Sequence, residues 1–323
     1  MLTDWLWTVT VGLERALSAQ AECFVCKGDC FVVVESSRVR PCPNPLHTHL
    51  PLLGRYRIVS ELAQGTFSTV FLLQQSESKR LLAAKVMPRK LGVILENDFT
   101  TSHSLVHNYF LGHGHACTLL IQEYMQPLPD MRVLDWSGRL DMLRRMLEDV
   151  GWCLQTLHAK GFVHADVKPS NVMYRGGYSV PFALIDYGNA IASTEINNGN
   201  EIVSPRYRAP ELLSVSPANI ITNPSDQIIT SAVDIWALGI SIVEIISGQH
   251  PFQYIPQTEL LKSINDTLDV NRAQVRLQLM HWTDINDSPF IDLLERMLSL
   301  KVKDRISASD LLCHPFLNRR TVP

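Results

Sequence analysis

No sign of charge dominates this chain. Its 323 residues carry 29 Lys plus Arg against 32 Asp plus Glu, so no bulk field draws it to nucleic acid or to an anionic membrane, and specificity must come from local sites. Long hydrophobic runs are missing as well: nothing approaches the roughly 20 charge-free residues that a membrane span needs. The apolar run Trp5–Leu13, with Ala19 and Ala21 behind it, has the outline of a secretory signal. Asp4 stands where such a signal has a basic start, and Glu14 and Arg15 cut the run short, so an N-terminal helix is expected instead. Cysteines are few and odd in number, seven in all, which does not suit a disulfide framework. Cys117, Cys153 and Cys313 fall in apolar elements and read as buried thiols of a reducing compartment. The expectation is an intracellular protein of cytoplasm or nucleus, with neither nucleic acid nor membrane among its partners.

Residues 1–52 are compositionally separate, rich in Cys, Pro and His towards their end, and Pro41 and Pro43 break any regular element. They read as an N-terminal extension and linker. Cys23-x-x-Cys26 has the shape of one half of a zinc site, with Cys30, Cys42, His47 and His49 as candidates for the rest. Tetrahedral zinc needs four ligands and only one close pair stands here, so free thiols are the favoured reading and zinc the alternative.

From Tyr56 onward short apolar runs alternate with turn residues. Glu61–Leu73 reads as strand, turn and strand around Gly65, and a lone glycine there is as well explained by a hairpin. The next strand, Leu81–Met87, sets Lys85 alone in an apolar run. Burying an ammonium without an anionic partner is costly, so a phosphate contact is expected; an edge-strand lysine facing water is the alternative. Cys117–Met125 reads as a buried strand. Between Arg139 and Gly161, Leu140, Leu143, Met146, Leu147, Val150, Leu154 and Leu157 recur at steps of three and four and define one helical face. Ile235–Ile246 is apolar nearly all round, the pattern of a fully buried helix.

The stretch Gly161–Gly188 holds the chemistry. His164, Asp166, Lys168 and Asn171 lie on an expected loop, and a short apolar run, Phe182–Ile185, ends at Asp186 and Gly188. An aspartate alone is usually a turn or cap residue. Here a cation follows two positions on and a hard oxygen ligand five on, with a second such ligand, Asp186, 15 residues beyond Asn171. These residue types supply a base for a hydroxyl, charge neutralisation for a phosphate and ligands for a metal ion.

The pattern H-A-D-x-K-P-x-N followed by I-D-Y-G resembles the catalytic loop and D-F-G segment of protein kinases. The resemblance covers about residues 54–318 and implies an α+β fold of two lobes: a small β-rich N-lobe at about 54–125 and a larger, mainly α-helical C-lobe at about 130–318. It implies ATP and magnesium as cofactors, protein substrates as partners, with a regulatory protein as a further candidate, and transfer of the ATP γ-phosphate. Asp166 would orient the substrate hydroxyl and Lys168 neutralise the transferring phosphate, while Asn171 and Asp186 would hold magnesium. Ala63, Gly65, Ser68, Val70, Lys85, Glu123 and Met125 would contact the nucleotide, and Glu96, with Asp98 in reserve, would pair with Lys85. K-P-x-N points to the serine/threonine class, with Ser204 on the substrate side. His164, Asp234, Glu211 and Arg305 would be structural, Asp234 accepting loop N–H groups and Glu211 pairing with Arg305.

Arg208 before Ala209 is similar to the cyclin-dependent-kinase-like group, and the phrases GTFSTVF, VKPSNVMY and ALIDYG are similar to the cell-division-cycle-seven type. Two departures stand out. Ala165 replaces the usual Arg, so activity is expected without a phosphate docked at that residue. Tyr187 replaces the usual Phe, and its hydroxyl needs a partner if buried. The sparse glycine loop and the short span between Lys85 and His107 leave one alternative function: a pseudokinase that acts as a binding scaffold.

Overall fold

The computed structural model describes residues 32–35, 38–40, 56–64, 68–88, 106, 108–113, 117–176, 181–193, 203–213 and 230–318. Gly65, Glu96, Asp98, the N-terminal helix expected near Trp5–Leu13, and the cluster Cys23, Cys26, Cys30, Cys42, His47 and His49 lie outside the described residues. The chain divides into two compact units, one of Met1–Thr101 with Val106–Met125, the other of Ser102–Leu105 with Gln126–Pro323. The first is built on a β-sheet and the second mainly on helices, the α+β organisation of a two-lobed kinase fold. Among the described residues no helix is long and apolar enough to cross a membrane.

The described residues of the first unit form a seven-stranded antiparallel sheet. Its strands are β1 (Val32–Glu35), β2 (Arg38–Arg40), β3 (Tyr56–Gln64), β4 (Thr69–Gln75), β5 (Leu81–Pro88), β6 (Asn108–His113) and β7 (Cys117–Glu123), in the order β2-β1-β6-β7-β5-β4-β3. The β-branched run Val32–Val34 makes a strand of part of the expected extension and pairs it with β6. On one face Phe71, Ala84 and Ile121 lie in register, with Leu73 and Leu82 beside them, all buried. The opposite face carries the row Ala63, Val70, Lys85 and Leu120. Lys85 is therefore on an interior strand, 9% exposed, and the edge-strand alternative is excluded.

The second unit is organised around two helices. Helix α1 (Trp136–Ala159) starts at Asp135, whose side chain accepts from Gly138 N–H, and buries the face set by its periodicity, Leu140 to Leu157. It ends because Gly161 takes φ +78°, a left-handed turn that L-residues disfavour. A short helix α2 (Pro210–Leu213) follows later in the chain. Helix α3 (Ala232–Ser247) is buried at every residue from Val233 to Val243. A Cβ on its Gly239 would come within 2.8 Å of Leu298, so the glycine permits close packing against the segment after α6 (Ser288–Met297). Helices α4 (Leu260–Leu268), α5 (Arg272–Thr283) and α7 (Ala308–Leu312) are the other helices among its described residues. Cys153 is buried in α1, but Cys313 is exposed: it follows the last residue of α7 and faces water rather than the core.

Two small antiparallel pairings set the site. β9 (Phe162–Val163) pairs with β12 (Ile191–Ala192), and β10 (Val172–Tyr174) pairs with β11 (Phe182–Leu184), with β8 (Gln126–Pro127) on its other side. The loop from β9 to β10 carries His164–Asn171, and the loop from β11 to β12 carries Asp186. Pairing the four strands brings the two loops side by side.

Candidate active site

The two loops are joined by backbone and imidazole. Ile185 N–H donates to the carbonyl of Asn171 at 2.8 Å, and His164 Nε2 bonds the Ile185 carbonyl at 3.1 Å. Because His164 Nδ1 accepts from Asp166 N–H at 3.3 Å, its proton must sit on Nε2. Burial lowers the pKa of this imidazole, which agrees with a neutral ring of that tautomer.

Asp234, in the first turn of α3, holds the loop from below. Its two carboxylate oxygens accept from His164 N–H at 2.8 Å and Ala165 N–H at 2.9 Å, and Oδ2 also bonds His158 Nε2 at 2.9 Å. These contacts fix Ala165 at φ +61°, a conformation that costs an L-residue about 1 kcal/mol or more. The strained residue points the chain so that Asp166, next in sequence, faces Lys168 and Asn171. The side chain of Ala165 is a buried methyl, with no cation at that position.

Around Asp166 the polar groups converge. Lys168 Nζ donates to Oδ2 at 2.8 Å, and Asn171 Nδ2 donates to the Asp166 carbonyl at 2.7 Å and to Oδ2 at 3.1 Å. Ser204 Oγ donates to Oδ1 at 2.7 Å and accepts from Lys168 Nζ at 3.0 Å. A hydroxyl thus lies between a carboxylate that takes its hydrogen and an ammonium beside its oxygen. The Asn171 amide spends its N–H groups on Asp166, so its oxygen is the end left for a cation.

Asp186 takes φ +66° and ψ +64° and leads into the turn Tyr187–Asn189. Tyr187 is buried, its ring 4.9 Å from that of His164 in an edge contact. Burial pushes the thiol of Cys153, beside the Tyr187 hydroxyl in the core, up to about 11. Asn171 and Asp186 offer an amide and a carboxylate oxygen from adjoining loops, a donor set that fits magnesium, which takes one or two protein oxygens with water and phosphate. Among the described residues no group of three or more His, Cys, Asp or Glu could hold a metal ion.

Further out, Arg305 is a fully buried side chain whose fork donates to Glu211 at 2.7 and 2.9 Å, with Ser299 and Ala232 carbonyls at 3.0 Å. In the first unit, Ala63, Val70 and Lys85 stand in one cross-strand row, with Ser68 just before β4, Glu123 at the end of β7 and Met125 buried two residues on.

Three contributors escape a reading of the sequence: His158, Asp149 and His250. Asp149 accepts from Phe182 N–H at 2.9 Å and so anchors the strand that leads to Asp186. Each is a single polar residue whose partner lies far along the chain. For His250 one signal existed, since the tripeptide His-Pro-Phe occurs at both 250–252 and 314–316.

A family profile described as "Protein kinase domain" matches residues 56–317. Among curated proteins the chain is 26% identical to the serine/threonine-protein kinase TOS3 of Saccharomyces cerevisiae, over 88% of this chain and 57% of that protein. It is 27% identical to the serine/threonine-protein kinase ssp1 of Schizosaccharomyces pombe, over 82% of this chain and 42% of that protein. With calcium/calmodulin-dependent protein kinase type 1B of Rattus norvegicus the identity is 24%, over 81% and 75%. The chain thus spans about half the length of the two yeast relatives. None of these three carries a cyclin-dependent or cell-division-cycle-seven name, so the comparisons lend that subgroup no support.

Proposed function

The chain belongs to the protein kinase family, and from that premise we propose that it transfers the ATP γ-phosphate to serine or threonine hydroxyls of protein substrates. The observation that carries this reading is the Ser204 hydroxyl between Asp166 and Lys168, at 2.7 and 3.0 Å. A substrate hydroxyl brought to the same carboxylate meets a base for its proton and a cation for the charge that builds on the phosphate. Asp166 orients the hydroxyl and receives its proton, and Lys168 neutralises charge. Asn171 and Asp186 would hold magnesium, which when bound screens the phosphate oxygens. Lys85, with Ala63 and Val70 in its row, is the phosphate-side contact of the first unit; Gly65, Ser68, Glu123 and Met125 complete the proposed nucleotide set.

The catalytic domain is assigned to residues 54–318 behind an extension of 1–52, in a compartment that supplies ATP, cytoplasm or nucleus. The features that favoured a non-catalytic scaffold, the single Gly65 and the short span before His107, lie outside the described residues, and nothing else supports that alternative. The cyclin-dependent-kinase-like assignment keeps only Arg208, whose Nε donates to the Val203 carbonyl at 3.0 Å. Zinc on the N-terminal cysteines has no support beyond their spacing.

The test is metal dependence. With magnesium and ATP, wild type should label a generic basic protein, and Asn171→Ala and Asp186→Ala should each lower the rate by about 100-fold or more while remaining folded. Equal rates in all three proteins would leave a scaffold.

A further inference from the structure

The turn Pro205–Tyr207 contains no buried residue, yet Ser204, immediately before it, is held against Asp166 and Lys168. With so little apolar burial to fix it, the turn must owe its position to polar anchors. Arg206 Nη1 donates to the Phe252 carbonyl at 2.7 Å and the Ile255 carbonyl at 3.3 Å. Tyr207 donates its hydroxyl to Glu244 Oε2 at 2.6 Å, and its ring meets that of His250 edge-on at 5.2 Å.

His250 closes the arrangement. Its Nδ1 accepts from Phe252 N–H at 3.1 Å, so the ring proton sits on Nε2, which donates to the Arg206 carbonyl at 3.2 Å. Arg206 and Phe252 are therefore linked twice, through a guanidinium and through an imidazole. Burial holds the imidazole down at about 4, which keeps it neutral and able to accept and donate at once. The same device recurs. His314 Nδ1 accepts from Phe316 N–H at 3.3 Å and Nε2 reaches Asp292 at 3.1 Å; His164 does likewise with Asp166 N–H and the Ile185 carbonyl. In each case a histidine takes the N–H two residues on and uses its far nitrogen to reach another part of the chain.

We propose that His250 is a positioning residue for the protein substrate, holding the Pro205–Tyr207 turn and, through it, Ser204 beside Asp166. This rests on the phosphotransfer reading: a substrate hydroxyl that approaches Asp166 must pass next to Ser204, so the chain that carries it lies along this turn. Water attacking ATP has no such need. Loss of the imidazole therefore weakens engagement of a protein substrate and leaves hydrolysis of ATP by water intact.

Two substitutions separate the two nitrogens. His250→Asn keeps an acceptor for Phe252 N–H but has no donor long enough for the Arg206 carbonyl; His250→Gln places an amide N–H near the position of Nε2. In the full chain, KM for a basic protein substrate should rise about tenfold in His250→Asn, the scale of one net hydrogen bond, with ATP hydrolysis changed less than about twofold and most of the KM recovered in His250→Gln. Amide exchange across residues 203–209 should be about tenfold faster in His250→Asn and close to wild type in His250→Gln. Wild-type KM and wild-type exchange in His250→Asn overturn the proposal, and so does a parallel fall of ATP hydrolysis and protein phosphorylation. Should His250→Asn misfold, Arg206→Met opens the same latch from the other side and must give the same split. If wild type moves no phosphate at all, the phosphotransfer reading fails, and the exchange measurement alone decides whether the latch exists.

Discussion

The loop that carries Asp166 and the turn that follows Ser204 meet at a single hydroxyl, yet they are held by opposite means. Val163–Val167 are all buried, and the loop's N–H groups end on Asp234 at the interior start of α3. The turn has no buried residue and is fixed by the tips of Arg206, His250 and Tyr207. The loop is thus part of the folding core, whereas the turn is a surface feature held by a few replaceable bonds. Damage to the first should cost the whole fold; damage to the second should cost substrate handling.

The largest effect that would break this comparison is on Asp234. In Asp234→Ala the N–H groups of His164 and Ala165 are left in the interior without their acceptor, at about 1–3 kcal/mol each, so about 4 kcal/mol of unfolding free energy should be lost. Urea denaturation measures it, and a loss below about 1 kcal/mol would place the loop outside the core.

Asp149 extends the core side of the comparison and adds a pH dependence. Burial pushes its carboxyl from 3.8 up to about 6. Between those values the folded protein keeps a proton that the unfolded chain has released, so stability falls as pH rises through the window, and the penalty is complete above it. Asn keeps an oxygen for Phe182 N–H without a charge to desolvate. Asp149→Asn should therefore be about 2 kcal/mol more stable than wild type at pH 8, and the gain should shrink through that window and vanish only below the unperturbed value of 3.8. A difference in melting temperature that stays flat with pH contradicts this.

On the turn side the expected effects are smaller. Tyr207→Phe removes the bond to Glu244 and should raise KM for a protein substrate about threefold at about 1 kcal/mol or less of stability; a loss as large as that of Asp234→Ala would erase the distinction. Lys262, an exposed partner of Asp266 on α4, supplies the baseline: Lys262→Ala should change stability by less than about 0.5 kcal/mol.

How much of this was legible follows the same division. The face of α1 and the buried run of α3 could be read because periodicity is a local signal. The loop residues could be read because Asp166, Lys168, Asn171 and Asp186 follow one another at short, fixed intervals. The pair Glu211 and Arg305 is separated by 94 positions and was reachable only through the resemblance. His158 and Asp149 were not legible, and His250 only through the repeated His-Pro-Phe, since an imidazole or a carboxyl acquires its role from a partner that the fold brings to it. Cys313 was misjudged for a related reason: an apolar neighbourhood in sequence does not say which side of a short helix faces water.

The central claim, that this site phosphorylates protein hydroxyls through Asp166, meets its most direct test in phosphoamino-acid analysis. A basic protein incubated with γ-labelled ATP, magnesium and the wild-type chain should yield phosphoserine or phosphothreonine, and the same incubation with Asp166→Asn should lose at least about 1,000-fold of that label. Label on tyrosine, or equal labelling by the two proteins, would contradict the account.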